Sequence, residues 1–301
     1  GRESLVVKEF YSVVIIGAGP AGLAAAMQLS RQGHQPLVLE RKQAGGLLWN
    51  ANLVENYPGF PQGIRGPELV ALFQKQAKTL GVRIAFEDAH LAGLESDLFR
   101  IDTEKRELAA RFLVAATGTR AKGLPPAMLG PGLEEKVFSE VYPLLGSKGN
   151  QVIILGGGDA AFDYALNLAR ENQVVILNRG KEIKALSLLF DRAEAHPKIT
   201  YHSQAQLQSL QEGKEGQLQL RVTFSGEIRE LEGDYLIAAI GREPELGFTT
   251  ASIMEEIQGS PIANRLYLIG DLKNGQYRQT AIAVGDGIRA AMEIDQYLSE
   301  E

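Results

Sequence analysis

The chain has 301 residues, 45% hydrophobic and 23% charged, with a formal net charge of −6. That balance describes an ordinary globular protein and argues against a broad nucleic-acid surface, because no Lys/Arg cluster offsets the acidic total. There is no cysteine, so disulfides, thiolate metal sites and thiol nucleophiles are excluded, and the isolated histidines His34, His90, His196 and His202 argue against zinc.

In chain order, residues 13–16 are a β-branched run, read as a buried parallel strand. Residues 21–31 read as an Ala/Leu-rich helix and 36–40 as a second strand, completing a βαβ unit. The apolar stretch 13–29 is cut by Gly17, Gly19, Pro20 and Gly22, too short and too broken for a membrane span. No basic start leads into an apolar core as in a signal peptide, so a cytoplasmic protein with no membrane partner is expected. Residues 66–81 form an amphipathic helix pattern closed by Gly81. The stretches 83–95, 98–104 and 110–118 read as a strand meander. The pattern then repeats: strand 151–155, helix 159–171, strand 173–179, and a second meander over 199–213, 217–226 and 233–241. The remaining strand 266–271 and helix 281–298 have no counterpart, which suggests that they return to the first module and leave the second as an insertion. The expected fold class is α/β, with two Rossmann-like dinucleotide-binding domains of three ββα layers.

Each module opens on a glycine loop. In "GAGPAG" (17–22), Gly17 permits the tight turn, Gly19 the approach of a pyrophosphate and Gly22 close helix–strand packing. The pyrophosphate would rest on free N–H groups at the helix N-terminus, and Glu40 ends the second strand where an acid bonds a ribose hydroxyl. "GGGDAA" (156–161) repeats the device through Gly156, Gly158, Asp159 and Ala160, with Ala161 in the third glycine position. Here the following strand ends in Asn178-Arg179-Gly180, without the acid. Arg179, Lys181 and Lys184 are candidates for a 2′-phosphate, so NAD is disfavoured; an empty or repurposed pocket is the other reading.

These residues resemble the low-molecular-weight thioredoxin reductase family of FAD flavoproteins. "GAGPAGLAAA" resembles its FAD loop, and "GGLLWNANLVENYPGFPQGIRGPEL" the stretch the family writes GGQL…VENWPGFP…GPEL. "AATG" and "GGGDAA" follow in order, and "LIGDLKNGQYRQTAIAVGDG" resembles the C-terminal signature. The resemblance implies an FAD-binding domain over 1–117 and 244–301, with an NAD(P)-binding-like domain over 118–243. It implies FAD contacts at Gly17, Gly19, Pro20, Ala21 and Gly22, at Glu40 and Arg41, at Gly46 and Leu47, and at Asn56, Thr117 and Gly118. Gly270 and Asp271 would meet the ribityl–phosphate region, and Arg278, Gln279 and Thr280 the flavin's pyrimidine edge. A helix starting there favours the negative charge of a reduced flavin. A homodimer is also implied.

Three departures matter. The family's C-x-x-C falls on Ser139-Glu140-Val141-Tyr142 with Pro143 in place of the following acid, so no thiol pair exists. The family's H-R-R-x-x-x-R becomes Asn178-Arg179-Gly180 followed by Lys184, a weaker 2′-phosphate clamp. Trp49 replaces a threonine; it reads as a packing residue or as an aromatic beside the flavin, and Tyr142 likewise. The expected function is therefore FAD-dependent oxidoreduction without a catalytic disulfide, passing electrons from NADPH, ferredoxin or a second flavin to a non-disulfide acceptor. The second domain would hold NADP(H), a second FAD or nothing. The alternatives are a thioredoxin-reductase-like ferredoxin–NADP reductase and a flavin-binding redox sensor or pseudo-enzyme. The chain's end directly after its last helix and its "YRQTA" weigh against the first of these.

Overall fold

The computed structural model describes residues 8–300; the outermost ends of the expected FAD-binding domain lie outside them. Strand β1 (Glu9–Ile16) forms because its second half is all Val and Ile, and it is sandwiched between two parallel neighbours. Helix α1 (Pro20–Arg31) follows, with Pro at its first position, where the missing N–H costs nothing. Then come β2 (Leu37–Glu40), α2 (Gly66–Thr79), β3 (Arg83–Phe86), β4 (Ala89–Glu95), β5 (Leu98–Thr103) and β6 (Glu107–Ala115). The sheet order is β3-β2-β1-β6-β5-β4. β1, β2 and β3 run parallel to β6, while β4 and β5 form an antiparallel meander on its other edge.

After β7 (Thr119–Ala121), the second module comprises β8 (Val137–Phe138), β9 (Gln151–Leu155), α3 (Asp159–Leu168), β10 (Gln173–Leu177), α4 (Ser187–Glu194) and β11 (Ile199–His202). It continues with β12 (Ala205–Glu212), β13 (Leu218–Phe224), β14 (Glu227–Gly233) and β15 (Tyr235–Ala238). The parallel sheet runs β11-β10-β9-β15-β8, and β12-β13-β14 form a separate antiparallel sheet. The chain returns through β16 (Arg242–Pro244), which pairs with β7, to α5 (Ala251–Gln258), β17 (Leu266–Leu268) and α6 (Thr280–Ser299). β17 adds to β6 in parallel, so the final strand and helix complete the first module's layers.

Contacts divide the chain into two compact units: residues up to 49, 54–120 and 244 onward, and residues 50–53 with 121–243. The sequence-expected boundary fell at 117/118 with 50–53 in the first domain; the structure instead groups 50–53 with the second unit, for reasons given below. Stretches 83–95 and 199–213 were each expected as one strand. Each is two, the second break lying at Gln204, whose φ is 52°. α3 stops at Leu168 and not at 171, and α4 and α5 had no expected counterpart.

Each unit has its own core. Ile15, Leu23, Leu29, Phe99 and Phe112 are wholly buried in the first, and Val152, Ile154, Phe162 and Ile176 in the second, each side chain contributing about 1.5–3 kcal/mol. The face of α1 is almost entirely alanine and glycine because α6 crosses it at backbone distance. A Cβ on Gly287 would lie 2.2 Å from the Ala21 carbonyl oxygen. Gly285, two residues away, faces open space. Among the described residues no helix is long and apolar enough to cross a membrane. Gly287→Ala is expected to lower stability by about 1–3 kcal/mol or more through overpacking, whereas Gly285→Ala raises it by up to about 1 kcal/mol through helix propensity. Thermal melts of the two variants should move in opposite directions; equal losses would contradict the close-approach account.

Candidate functional site

In the first unit the strand ends converge. β1, β2, β6 and β17 are parallel, so Gly17, Glu40, Thr117 and Gly270 all follow the same edge of one sheet, where open α/β sheets hold ligands. Gly17 adopts φ 104°, and a Cβ there would sit 2.4 Å from the Ala116 carbonyl oxygen. Its N–H donates to the Leu39 carbonyl at 2.8 Å. Gly22 is held tighter still: a Cβ would lie 1.9 Å from the Gly17 oxygen. Helix α1 starts at Pro20 behind Gly19 with no side-chain cap, so the N–H groups around Ala21 and Gly22 remain available to an anion. Gly45 donates to the Ala18 carbonyl at 2.8 Å, and Gly46, at φ 57°, lies beside Gly19 with Leu47 following.

The Glu40 carboxylate accepts from the Ala18 N–H and the Lys42 N–H, each at 2.9 Å, which fixes it beside the glycine loop. Arg41 donates to Glu245 at 3.1 Å. Thr117 donates its hydroxyl to the Glu245 carbonyl at 2.7 Å, and the Gly118 carbonyl accepts the Glu245 N–H at 3.0 Å. At the start of α6, Asn56 donates to the Gln279 side chain at 2.6 Å, and Thr280 opens the helix with no side-chain cap. Asp286 of α6 accepts from the Gly270 N–H at 3.0 Å and from Asn274 at 2.7 Å, tying the loop that carries Asp271 to the helix. The Nε of Arg278 is buried and has no hydrogen-bond partner among the described residues, a donor that needs an acceptor to be worth burying.

The second unit repeats the geometry. Gly156, at φ 146°, would place a Cβ 2.4 Å from the Ala239 carbonyl oxygen, and its N–H donates to Leu177 at 3.0 Å. Gly158 precedes α3, which begins at Asp159 and Ala160 with no side-chain cap. By register Leu177 stands where Leu39 does, so Asn178 matches Glu40 and Arg179 matches Arg41. Asn178 does not offer itself to a ligand. It is buried, its amide donates to the Glu182 carbonyl and the Tyr201 hydroxyl at 3.0 Å each, and its oxygen accepts from the Gly180 N–H at 3.0 Å. It shapes the loop and presses on Gly157, where a Cβ would lie 2.5 Å from it. Asp159 accepts from the Leu186 N–H at 2.8 Å, and the Lys184 N–H donates to Gly157 at 3.0 Å. The side chains of Arg179, Lys181 and Lys184 point outward, and no carboxylate among the described residues pairs with them. A cavity of about 510 Å³ opens elsewhere in this unit, between His202 and Arg229; Glu227 already pairs with that arginine at 3.1 Å, and no glycine-loop residue lines it.

The expected thiol position is occupied by a polar clasp. Glu140, between Ser139 and Tyr142, accepts from Arg242 and from the Asn50 amide, both at 3.2 Å. The Asn50 side-chain oxygen accepts from the Tyr142 N–H at 2.9 Å. Asp163 of α3 accepts from the Asn52 N–H at 2.8 Å, and Arg170 donates to the Asn52 side chain at 2.6 Å. These bonds are why residues 50–53 count with the second unit. Trp49 stays with the first, donating its indole N–H to the Ala44 carbonyl at 3.0 Å and packing on Gly45. Asp163 and Glu245 were not anticipated from sequence: neither lies in a motif, and only the fold of its own unit gives each its partners.

Burial pushes the Asp163 carboxyl up to about 6, against the N–H groups of Asn52 and Leu53 and the charge of Arg170, with Asp159 adding a smaller push upward. The native state therefore binds this proton more tightly than the unfolded chain. Ionised Asp163 costs stability, and lowering the pH from 7 through 6 towards 4 relieves a penalty of the order of 3 kcal/mol. Urea unfolding should show wild type gaining roughly half of this stability between pH 7 and pH 5 relative to Asp163→Asn, and most of the rest by pH 4. Parallel pH profiles for the two proteins would refute the assignment.

The sequence profile of the pyridine nucleotide-disulphide oxidoreductase family matches residues 11–287. The chain is 32% identical to a thioredoxin reductase of Streptomyces clavuligerus, over 96% of this chain and 94% of that one. It is 30% identical to a thioredoxin reductase of Mycolicibacterium smegmatis, over 97% of each. A crystal structure of Lactococcus lactis thioredoxin reductase superposes with a TM-score of 0.84 at 29% identity, covering 97% of this chain and all of that one.

Proposed function

Since the chain belongs to the pyridine nucleotide-disulphide oxidoreductase family, we propose that it is an FAD-dependent oxidoreductase whose electrons leave to an acceptor other than a disulfide of its own. The observation that carries this reading is a contrast. The first glycine loop is complete, with its acid fixed in place and a buried Arg278 Nε awaiting an acceptor, while the chain contains no cysteine and a Glu140–Arg242–Asn50 cluster fills the thiol position. Bound FAD would supply hydride and single-electron transfer. The N–H groups of Ala21 and Gly22 would hold its pyrophosphate, Glu40 its ribose, and Arg278 with the N-terminus of α6 would stabilise negative charge on the flavin.

NADPH is the donor that the second unit favours. Asn178 provides no carboxylate for a 2′-hydroxyl, and Arg179, Lys181 and Lys184 are exposed and uncommitted to acids. The clamp is weaker than a set of arginines because lysine is a point charge. A homodimer is supported by Ile282, Ile288 and Met292, which lie along one exposed face of α6.

The purified protein should be yellow and release FAD on denaturation. Rapid mixing followed at the flavin absorbance should show faster bleaching by NADPH than by NADH, and Arg179→Ala with Lys184→Ala should weaken NADPH about tenfold or more. Faster bleaching by reduced ferredoxin would move the donor assignment, and no bleaching by any of the three would end the enzyme reading. Placing cysteines at Ser139 and Tyr142 should leave thioredoxin unreduced, because Pro143 stands where an acid is needed; turnover by that double variant would refute this part.

A further inference from the structure

Arg41 and Arg179 are equivalent by register. Each lies two residues beyond a leucine whose carbonyl accepts the N–H of its unit's first loop glycine, Gly17 to Leu39 and Gly156 to Leu177. Beyond the exchange of Glu40 for Asn178 before them, their own partners differ. Arg179 is exposed, and no carboxylate among the described residues pairs with it. Arg41 meets Glu245, whose side chain is only 10% exposed.

Glu245 has little freedom to be anywhere else. One carboxylate oxygen takes the Arg41 guanidinium at 3.1 Å and the other takes the Gly247 N–H at 2.9 Å. A Cβ on Gly247 would lie 2.8 Å from that second oxygen. Its backbone is stitched on both sides to the end of β6, through Thr117 at 2.7 Å and Gly118 at 3.0 Å. Burial alone would raise its pKa, but the Gly247 N–H, Arg41 and the charge of Arg120 outweigh burial and hold the carboxyl below its ordinary value, so it is ionised at neutral pH.

An unpaired arginine beside the ribose acid of a glycine-loop site is the usual acceptor of a 2′-phosphate. A guanidinium already joined to a carboxylate has its charge balanced and one edge of its fork in use, while its planar face stays free to stack on a purine. We propose that Glu245 is a positioning residue that sets the nucleotide selectivity of the first site: it holds Arg41 at the adenosine end of FAD and cancels the charge that a 2′-phosphate would require. The two units then discriminate between their ligands by whether the same arginine has an acid partner. This inference rests on reading the first glycine loop as the FAD site.

The test uses full-length protein stripped of FAD, with rebinding followed by quenching of FAD fluorescence, and Glu40→Ala marks which part of the signal belongs to the first site. ADP and 2′,5′-ADP compete against FAD. In wild type ADP should displace FAD the more effectively of the two, and in Glu245→Gln that preference should shrink by about tenfold, the scale of one charge-assisted contact. Glutamine keeps the volume and the acceptor for Gly247, so a purely structural role would leave Glu245→Gln like wild type and overturn the proposal. Adding Arg41→Ala should abolish the effect of Glu245→Gln; an undiminished effect in the double variant would equally overturn it. Failure of the wild-type protein to rebind FAD would take down the FAD reading itself, whereas normal rebinding with an unmoved preference would remove only the role of Glu245.

Discussion

A backbone carbonyl stands where a side chain would otherwise be: Ala116 oxygen against Gly17, and Ala239 oxygen against Gly156, each 2.4 Å from the position of a Cβ. The close approach arises because β6 and β15 run parallel to and in register with the strands that lead into the loops, Ile16 beside Ala115 and Leu155 beside Ala238. A chain that leaves such a strand must turn at once, and only a residue without a Cβ at positive φ can do so here. The turn sends α1 and α3 back across their sheets with their N-termini at the strand ends. The remaining parts of each site take their places from that turn.

What distinguishes the two units is the chemistry appended to this shared frame. At the end of β2 an acid reaches back to the loop with hydrogen bonds; at the end of β10 an amide only packs against Gly157 and bonds instead to Gly180, Glu182 and Tyr201. The small residues of α1 allow α6 to cross at backbone distance, and α6 brings Arg278 and an uncapped N-terminus to the first unit alone. At the position where the resemblance implies a thiol pair, the second unit has an ion pair and a bridging amide. Glu140 has two donors and stays partly exposed, and the buried Asp163 carboxylate is tolerable because it accepts backbone N–H groups.

Much of this was legible in the sequence, for identifiable reasons. The β-branched runs at 13–16 and 151–155, the glycines after them and the alternation of strand with helix are local signals, and they specify local structure. Glu40 was readable because its distance from Gly17 is fixed by one βαβ unit. Glu245 was not, since it reaches Arg41 across 204 positions and through the return of the chain from an inserted unit. The partners of Asn178 were not readable for a related reason. Its identity marks the end of a strand, but whether its amide faces a ligand depends on Tyr201, a residue of the neighbouring strand. The division at 50–53 escaped too, because a four-residue segment carries no pattern and its allegiance is decided by partners at Glu140 and Asp163.

The crossings at β7 and β16 lie side by side as a two-stranded ribbon. An insertion whose entry and exit are neighbours can be lost, gained or exchanged in a lineage without the host sheet noticing, since closing the gap needs only a short turn. The segment 50–53 limits that modularity. A descendant that inherited residues 121–243 alone would carry a buried carboxylate at 163 stripped of its backbone donors. The transferable cassette is therefore the insertion together with a four-residue tag from its host, or an insertion whose acid has already been replaced.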